Sequence, residues 1–312
     1  MNPDPTPHSS DLWPALAQAD WADTCATLQL WIQIVGKVRM VLTPPINHSW
    51  NVTLYPTIDG FTTSLIASGS LIAQIDLDIL DRLLVVRTMA GGRQSFSLGP
   101  MSVADFYQKF KASLNALDIL VRIWDLPAEV PNPIPFHQDF IHRSYDREYA
   151  ERFWRVTLET TRIFTIFRSR FRGKVSPVHL FWGAMDLACT RFSGRKAPEH
   201  ASMPGLPDRV TRDAYSHEVS SCGFWPGAPG FEPMFYSYAY PEPPGYAQYP
   251  IGPVEAAYNS TLGEFVLPYE AVRNAREPEA MLLQFLQSTY DAAANCAHWD
   301  RDALDVPSAA KQ

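Results

Sequence analysis

Prolines decide where this chain can be regular. Two stand together at Pro44-Pro45, four fall between Pro127 and Pro135, and seven lie within residues 223–250. Proline lacks the N–H that a helix needs, and its ring clashes with the preceding turn. Long helices are therefore confined to the stretches between these points.

The first such stretch, 22–40 (DTCATLQLWIQIVGKVRM), places Leu28, Trp31, Ile32, Val35 and Val38 at intervals of three and four. That spacing gives one apolar stripe on a helix. Beyond Pro44-Pro45 the pattern turns extended. NVTLYPT and FTTSLIAS flank Ile58-Asp59-Gly60, a hairpin signal, and AQIDLDI alternates with Ile75, Leu77 and Ile79 on one face. RLLVVRT and RQSFSLG flank Gly91-Gly92, a second hairpin. Ser102 and Asp105 then form a capping box with Asp in place of Glu, opening a helix that carries Val103, Phe106, Phe110, Leu114 and Leu117.

After the proline-rich connector DLPAEVPNPIPFHQ the order recurs. Phe153, Val156, Ile163, Phe167 and Phe171 follow helical spacing over 147–171. SPVHLFWGAMDLACTRFSG, HEVSSCGFW, FYSYAY and GEFVLPYE read as extended, with a polar, Pro-containing loop at about 194–213. Pro278 sits where a last helix would begin. Each half also carries a Gly-Lys pair (Gly36-Lys37, Gly173-Lys174) followed by Pro, His and Trp: PPINHSW at 44–50 and PVHLFW at 177–182. The expected fold is α+β, with two duplicated helix–antiparallel sheet–helix units related by a pseudo-two-fold axis. Their limits are 22–124 and 147–300, joined by a linker at 125–146 and flanked by tails at 1–21 and 301–312.

Composition excludes several classes. A net charge of −7 does not suit a nucleic-acid partner, and the basic run RSRFRGK falls at a helix end, where cations complement the dipole. The start MNPDPTPHSSD has neither the basic nor the apolar part of a secretory signal, and no stretch approaches the ~18 uninterrupted apolar residues of a membrane span. Cys25, Cys189, Cys222 and Cys296 include no CxxC pair, which fits reduced thiols in the cytoplasm. Nucleotide-binding glycine loops and the GxSxG elbow are absent.

Candidate chemistry therefore rests on scattered polar residues in aromatic surroundings. His48 and His179 open strand-like segments beside Trp50 and Trp182; each either ligates or ties down its proline-bent backbone. Tyr215-Ser216-His217-Glu218 is a second cluster, although His217 and Glu218 point to opposite faces of any strand. His179, His217 and Glu218 are the expected proton-transfer or metal-ligating set, a divalent metal being the one cofactor their chemistry suggests. Asp186 and Arg191 are charges in an apolar strand, either paired with each other or facing a ligand, with Arg191 suited to an anionic group. Nine of the 28 residues in 223–250 are aromatic, Trp225 among them, and this segment would wall a pocket together with Trp50 and Trp182.

The strings WIQIVGKVR, TPPINHSWNVTLY, SPVHLFWGAMDLACTRFSGR, AYSHEVSSCGFWPG and FVLPYEAVR, spread from Asp11 to Asp305, together resemble a bacterial family catalogued as a domain of unknown function. The resemblance implies a soluble bacterial protein and assigns no activity. Two functional expectations stand side by side. One is a protein that binds a small organic ligand in an aromatic-lined pocket, with an enzymatic His/carboxylate site as its extension. The other is a non-catalytic binding or interaction module.

Overall fold

The computed structural model describes residues 12–202 and 207–307, so the outermost parts of both expected tails and residues 203–206 of the expected polar loop lie outside it. Among the described residues there are seven α-helices and two antiparallel sheets of six strands. The fold is α+β.

Helix α1 (Gln18–Leu42) runs through the middle. The single stripe expected of it is only part of its apolar surface, because every residue from Leu30 to Arg39 is buried. It packs against α2 (Val103–Asn115) and against α3 (Arg147–Ser169). A helix enclosed on all sides needs no polar face. This accounts for the one membrane-like window among the described residues: α1 is long and apolar enough to cross a bilayer, yet 72% of that window is buried inside the fold. Its start lies within the stretch read as a tail, and Trp13, Leu16 and Trp21 there are core residues. The capping box is present: Ser102 Oγ accepts from the Asp105 N–H at 3.0 Å and donates to its carboxylate at 2.7 Å.

The first sheet has the order β1 (Tyr55–Pro56), β2 (Gly60–Thr62), β4 (Leu71–Asp78), β5 (Leu83–Thr88), β6 (Arg93–Ser97), with β3 (Ile66–Ser68) also paired to β4. Both expected hairpins form, β1–β2 around Ile58-Asp59 and β5–β6 around Gly91-Gly92. Ala73, Ile75 and Leu77 alternate inward, as their spacing predicts.

The second sheet has the order β11 (Ala257–Asn259), β12 (Glu264–Pro268), β10 (Met234–Tyr240), β9 (His217–Trp225), β8 (Asp186–Lys196), β7 (His179–Phe181). Between β8 and β9 lies the short helix α4 (Asp208–Ala214). One face of this sheet packs on α3, α5 (Tyr269–Arg273) and α6 (Pro278–Cys296), which starts at the predicted proline; α7 (Arg301–Leu304) follows. Strand alternation assigns Leu187, Cys189, Arg191, Cys222 and Phe224 to that helix-covered face. It assigns Asp186, Ala188, Thr190, Phe192, Ser221 and Gly223 to the other.

The helix–sheet–helix order does occur twice, but the two sheets are wound differently and the repeated landmarks occupy unlike places. Gly36-Lys37 lies inside α1, where the ring of Trp182 sits 2.2 Å from the position a Cβ on Gly36 would take. Gly173-Lys174 lies beyond the end of α3. His48 sits in a short 3₁₀ turn (Asn47–Ser49) with a positive φ of 60°, whereas His179 begins β7. The two stretches nonetheless meet. Leu54 and Leu180 exchange backbone hydrogen bonds of 2.9 and 2.8 Å, and the Trp182 indole N–H donates to the Val52 carbonyl at 2.9 Å. The proline-rich connector is fastened across α1: Lys37 donates to the Leu126 carbonyl, Gln33 bonds both backbone groups of Ala128, and Phe136 is fully buried.

Candidate functional site

The face of the second sheet turned away from the helices holds a cavity of about 110 Å³. Its floor is made of small side chains in register across the central strands. Thr190 lies opposite Ser221, and Ala188 lies opposite Gly223. Gly223 faces Tyr236 of β10 in turn, and a Cβ there would fall 2.2 Å from the Tyr236 ring. The glycine thus lets that ring lie across β9 and bring its hydroxyl to Asp186, to which it donates at 2.5 Å. Tyr238 follows two residues later on the same face and accepts from the Tyr215 hydroxyl at 3.3 Å. The first half of the chain contributes the opposite wall, His48 and Trp50, which packs with α4. Phe181 and Phe192 complete the lining.

Two charged groups dominate the electrostatics. Burial pushes the Asp186 carboxyl up to about 6, against the opposing effect of the Tyr236 hydrogen bond. Among the described residues Asp186 forms no ion pair with Lys, Arg or His. Two more carboxylates lie within its field: burial raises Glu129 and Glu264 to about 7, and the Asp186 charge adds to both. Glu129 is exposed as a residue, but its carboxylate turns in over Gly183, where a Cβ would lie 1.8 Å from Oε1. On the Trp50–Phe192 side, the Lys174 ammonium sits over the rings of Phe192 (4.9 Å) and Trp50 (5.4 Å). It donates to His48 Nε2 at 2.6 Å, and His48 Nδ1 donates to the Asp213 carbonyl at 3.0 Å. Both imidazole nitrogens are thus occupied, and the ring is held neutral by burial and by the neighbouring ammonium.

Of the residues singled out in the sequence, His48, Trp50, Asp186 and Tyr215 line the cavity. His179 lies behind that wall, with its ring 6.2 Å from Trp50 and 4.9 Å from Phe181. Burial, with Arg39 and Arg168 nearby, drives its pKa down to about 3. His179 faces Thr53 Oγ1 at 3.3 Å. That hydroxyl gives its proton to the Trp50 carbonyl, so the imidazole is the donor in this contact. His217 stands at the rim, 6.2 Å from His48 and edge-on to it. Glu218 points to the other face, where it accepts from Arg195 at 2.6 Å and from Ser193 at 2.9 Å. The expected trio of His179, His217 and Glu218 is therefore not brought together. Among the described residues no three His, Cys, Asp or Glu side chains are gathered as metal ligands would be.

Three more of these residues lie away from the cavity. Trp182 joins the two halves at Val52 and Gly36. Trp225 packs on Phe231 with ring centroids 5.7 Å apart. Arg191 is buried on the helix side, its guanidinium 3.5 Å from the Phe167 ring and 4.3 Å from that of Tyr290. The lining also includes residues not singled out in the sequence, among them Phe181, Phe192, Tyr236 and Tyr238. The last two carried a signal, the period-two run of tyrosines in FYSYAY.

A larger open groove of about 850 Å³ runs past the starts of α1, α2 and α3. Several of its polar groups are used by the helices: Ser102 and Asp105 cap each other, and Asp146 accepts from the Glu148 and Tyr149 N–H groups. The smaller cavity is set apart by its ring-lined wall around a carboxylate that forms no ion pair among the described residues.

A single family model covers residues 13–306. The chain belongs to the family of unknown function DUF5996. No curated protein and no solved structure matches it. The DUF5996 match thus spans both sheets and every residue of the cavity, and it assigns a role to none of them.

Proposed function

We propose that this protein binds a small organic molecule in the cavity between the second sheet and the His48–Trp50 wall. One observation carries the reading: six aromatic side chains enclose a space with an unpaired carboxylate turned into it. Concave sites lined by rings, with a few polar groups to orient the occupant, are what small-molecule binding needs. Comparison of wild type with Ala188→Leu in a thermal-shift screen of small polar compounds tests it, since the leucine fills the floor of the cavity. Compounds that stabilise only the wild type support the proposal. Compounds that stabilise both proteins equally, or no stabilising compound at all, overturn it.

A second reading, proton transfer at the same place, is favoured by the Asp186–Tyr236 pair. A carboxyl held up to about 6, hydrogen-bonded to a phenol, is poised to exchange protons near neutral pH. If the protein turns over its ligand, Tyr236→Phe lowers the rate while leaving affinity in place; an unchanged rate rejects the role. His179 and Glu218, the earlier candidates, are occupied by Thr53 and by Arg195. The four cysteines are free, which supports a reducing, cytoplasmic setting. Recovery of the native protein in the soluble cytosolic fraction is the check.

A further inference from the structure

We infer that the occupant of the cavity is a small organic cation, an amine or methylated ammonium whose positive nitrogen lies against Asp186 and the faces of Tyr236 and Tyr238. The inference rests on the proposed binding role of the cavity and adds the ligand's charge and size.

Charge comes first. Asp186 faces enclosed space with one neutral donor, the Tyr236 hydroxyl, and no cation. Glu129 and Glu264 lie within its field and likewise form no ion pair among the described residues. Removing a carboxylate from water without a counter-charge is costly, and a bound cation offsets that cost. These two carboxylates are the charged groups coupled to Asp186, while Lys174 stands at the Trp50 and Phe192 rings.

Lys174 does not fill the role, because its ammonium is engaged elsewhere. It donates to His48 at 2.6 Å and lies on the outer pair of rings, Trp50 and Phe192. That arrangement shows these aromatic walls holding one cation by their faces. The inner pair, Tyr236 and Tyr238, is stacked with an interplanar angle of 15° and has no such occupant. Tyr236 reaches the carboxylate through its hydroxyl, and Tyr238 stands beside it on the same face of β10. All three line the one cavity, which combines ring faces with a counter-charge, the chemistry that recognises alkylammonium groups.

Size follows from the volume. A cavity of about 110 Å³ is smaller than one that admits benzene, which leaves room for roughly five heavy atoms. Tetramethylammonium has that size, and tert-butanol is a neutral molecule of nearly the same shape.

The experiment titrates both probes into the ligand-free protein, with ligand-observed NMR as the readout. Tetramethylammonium is expected to bind the wild type more tightly than tert-butanol does. Asp186→Asn should weaken the cation by about tenfold or more, the loss expected for one ion-pair contact away from bulk water, and leave tert-butanol unchanged. Asn is near-isosteric and removes a buried charge, so the variant keeps the fold. Tyr238→Leu provides an independent arm, expected to weaken the cation several-fold while sparing the alcohol. If both probes bind equally and neither substitution separates them, the cation inference fails while the cavity remains a binding site. If both probes lose affinity together in Ala188→Leu, binding is assigned to the cavity. If no cation binds the wild type, the inference fails, and the broader screen against Ala188→Leu decides separately whether the cavity binds anything.

Discussion

Within its apolar stretch, strand β8 carries two charges five residues apart, on opposite faces, and the two have opposite fates. Arg191 is enclosed by Phe167, Phe171 and Tyr290, with one amino group donating to the Phe167 carbonyl. Ring faces and a backbone acceptor stabilise it, and no solvent reaches it. Asp186, on the other face, has a single phenol for company and borders empty space. The comparison separates a charge built into the fold from a charge left over for chemistry. Burial alone does not tell them apart; the number of partners does.

The largest expected effect breaks the helix side. Arg191→Ala should destabilise the protein by about 3–5 kcal/mol, since it empties space among three rings and removes the bond to Phe167. Arg191→Met keeps most of the volume and should recover more than half of that loss, because a buried cation can often be replaced by an apolar side chain of similar size. Urea denaturation of both variants checks this. Equal losses in both would mean that the charge, rather than the packing, holds the helices to the sheet.

Next comes the glycine that shapes the cavity face. Gly223→Ala puts a Cβ 2.2 Å from the Tyr236 ring. The ring must swing away from Asp186, at an overpacking cost of about 1–3 kcal/mol. The same variant should lose any ligand that depends on the Asp186–Tyr236 pair. Unchanged stability and unchanged binding would show that Tyr236 has another place to go.

A smaller effect of opposite sign is expected at Asp186. Its pKa, ordinarily near 3.8, is raised to about 6 in the folded protein, so the native state holds the proton more tightly than the unfolded chain. Stability is therefore full below about pH 4 and falls as the pH rises through 6. Asp186→Asn should stabilise the ligand-free protein by roughly 1–2 kcal/mol at pH 8 and by nothing at pH 4. Melting curves of both proteins across that range provide the measurement. A variant less stable than the wild type at pH 8 would mean that Asp186 has a stabilising partner.

Much of this architecture was legible in local chemistry. The Ser102–Asp105 box, the Asp59-Gly60 and Gly91-Gly92 hairpins, Pro278 and the alternation in β4 all depend on neighbours within a few residues, and all are present. What depended on distant partners was read less well. The Pro-His-Trp echo suggested equivalent positions, yet His48 occupies a left-handed turn and His179 a strand, and Trp182 is fixed by Gly36 on a helix far away in sequence. Period two separates Glu218 from His217, as read; it also puts Asp186 and Arg191 on opposite faces, so the pairing offered for those two does not form. It cannot say which of the two faces the helices will cover, and that choice decides which residues reach the cavity.

The smallest expected effect reads out that coverage without a ligand. Cys189 and Cys222 lie opposite each other on the helix-covered face, and burial pushes the first up to about 11 and the second well above its ordinary value. Cys25, buried in α1, is pushed up to about 12. Only thiolates react with alkylating reagents at an appreciable rate, so these three should be silent in the native protein. Cys296, half-buried at the end of α6, should be the one thiol labelled. Asp186→Asn should leave that pattern unchanged, because it alters the other face. Arg191→Ala should speed labelling of Cys189 and Cys222 by loosening the helices above them. Faster labelling of Cys189 in Asp186→Asn as well would mean that the two faces of β8 are not independent.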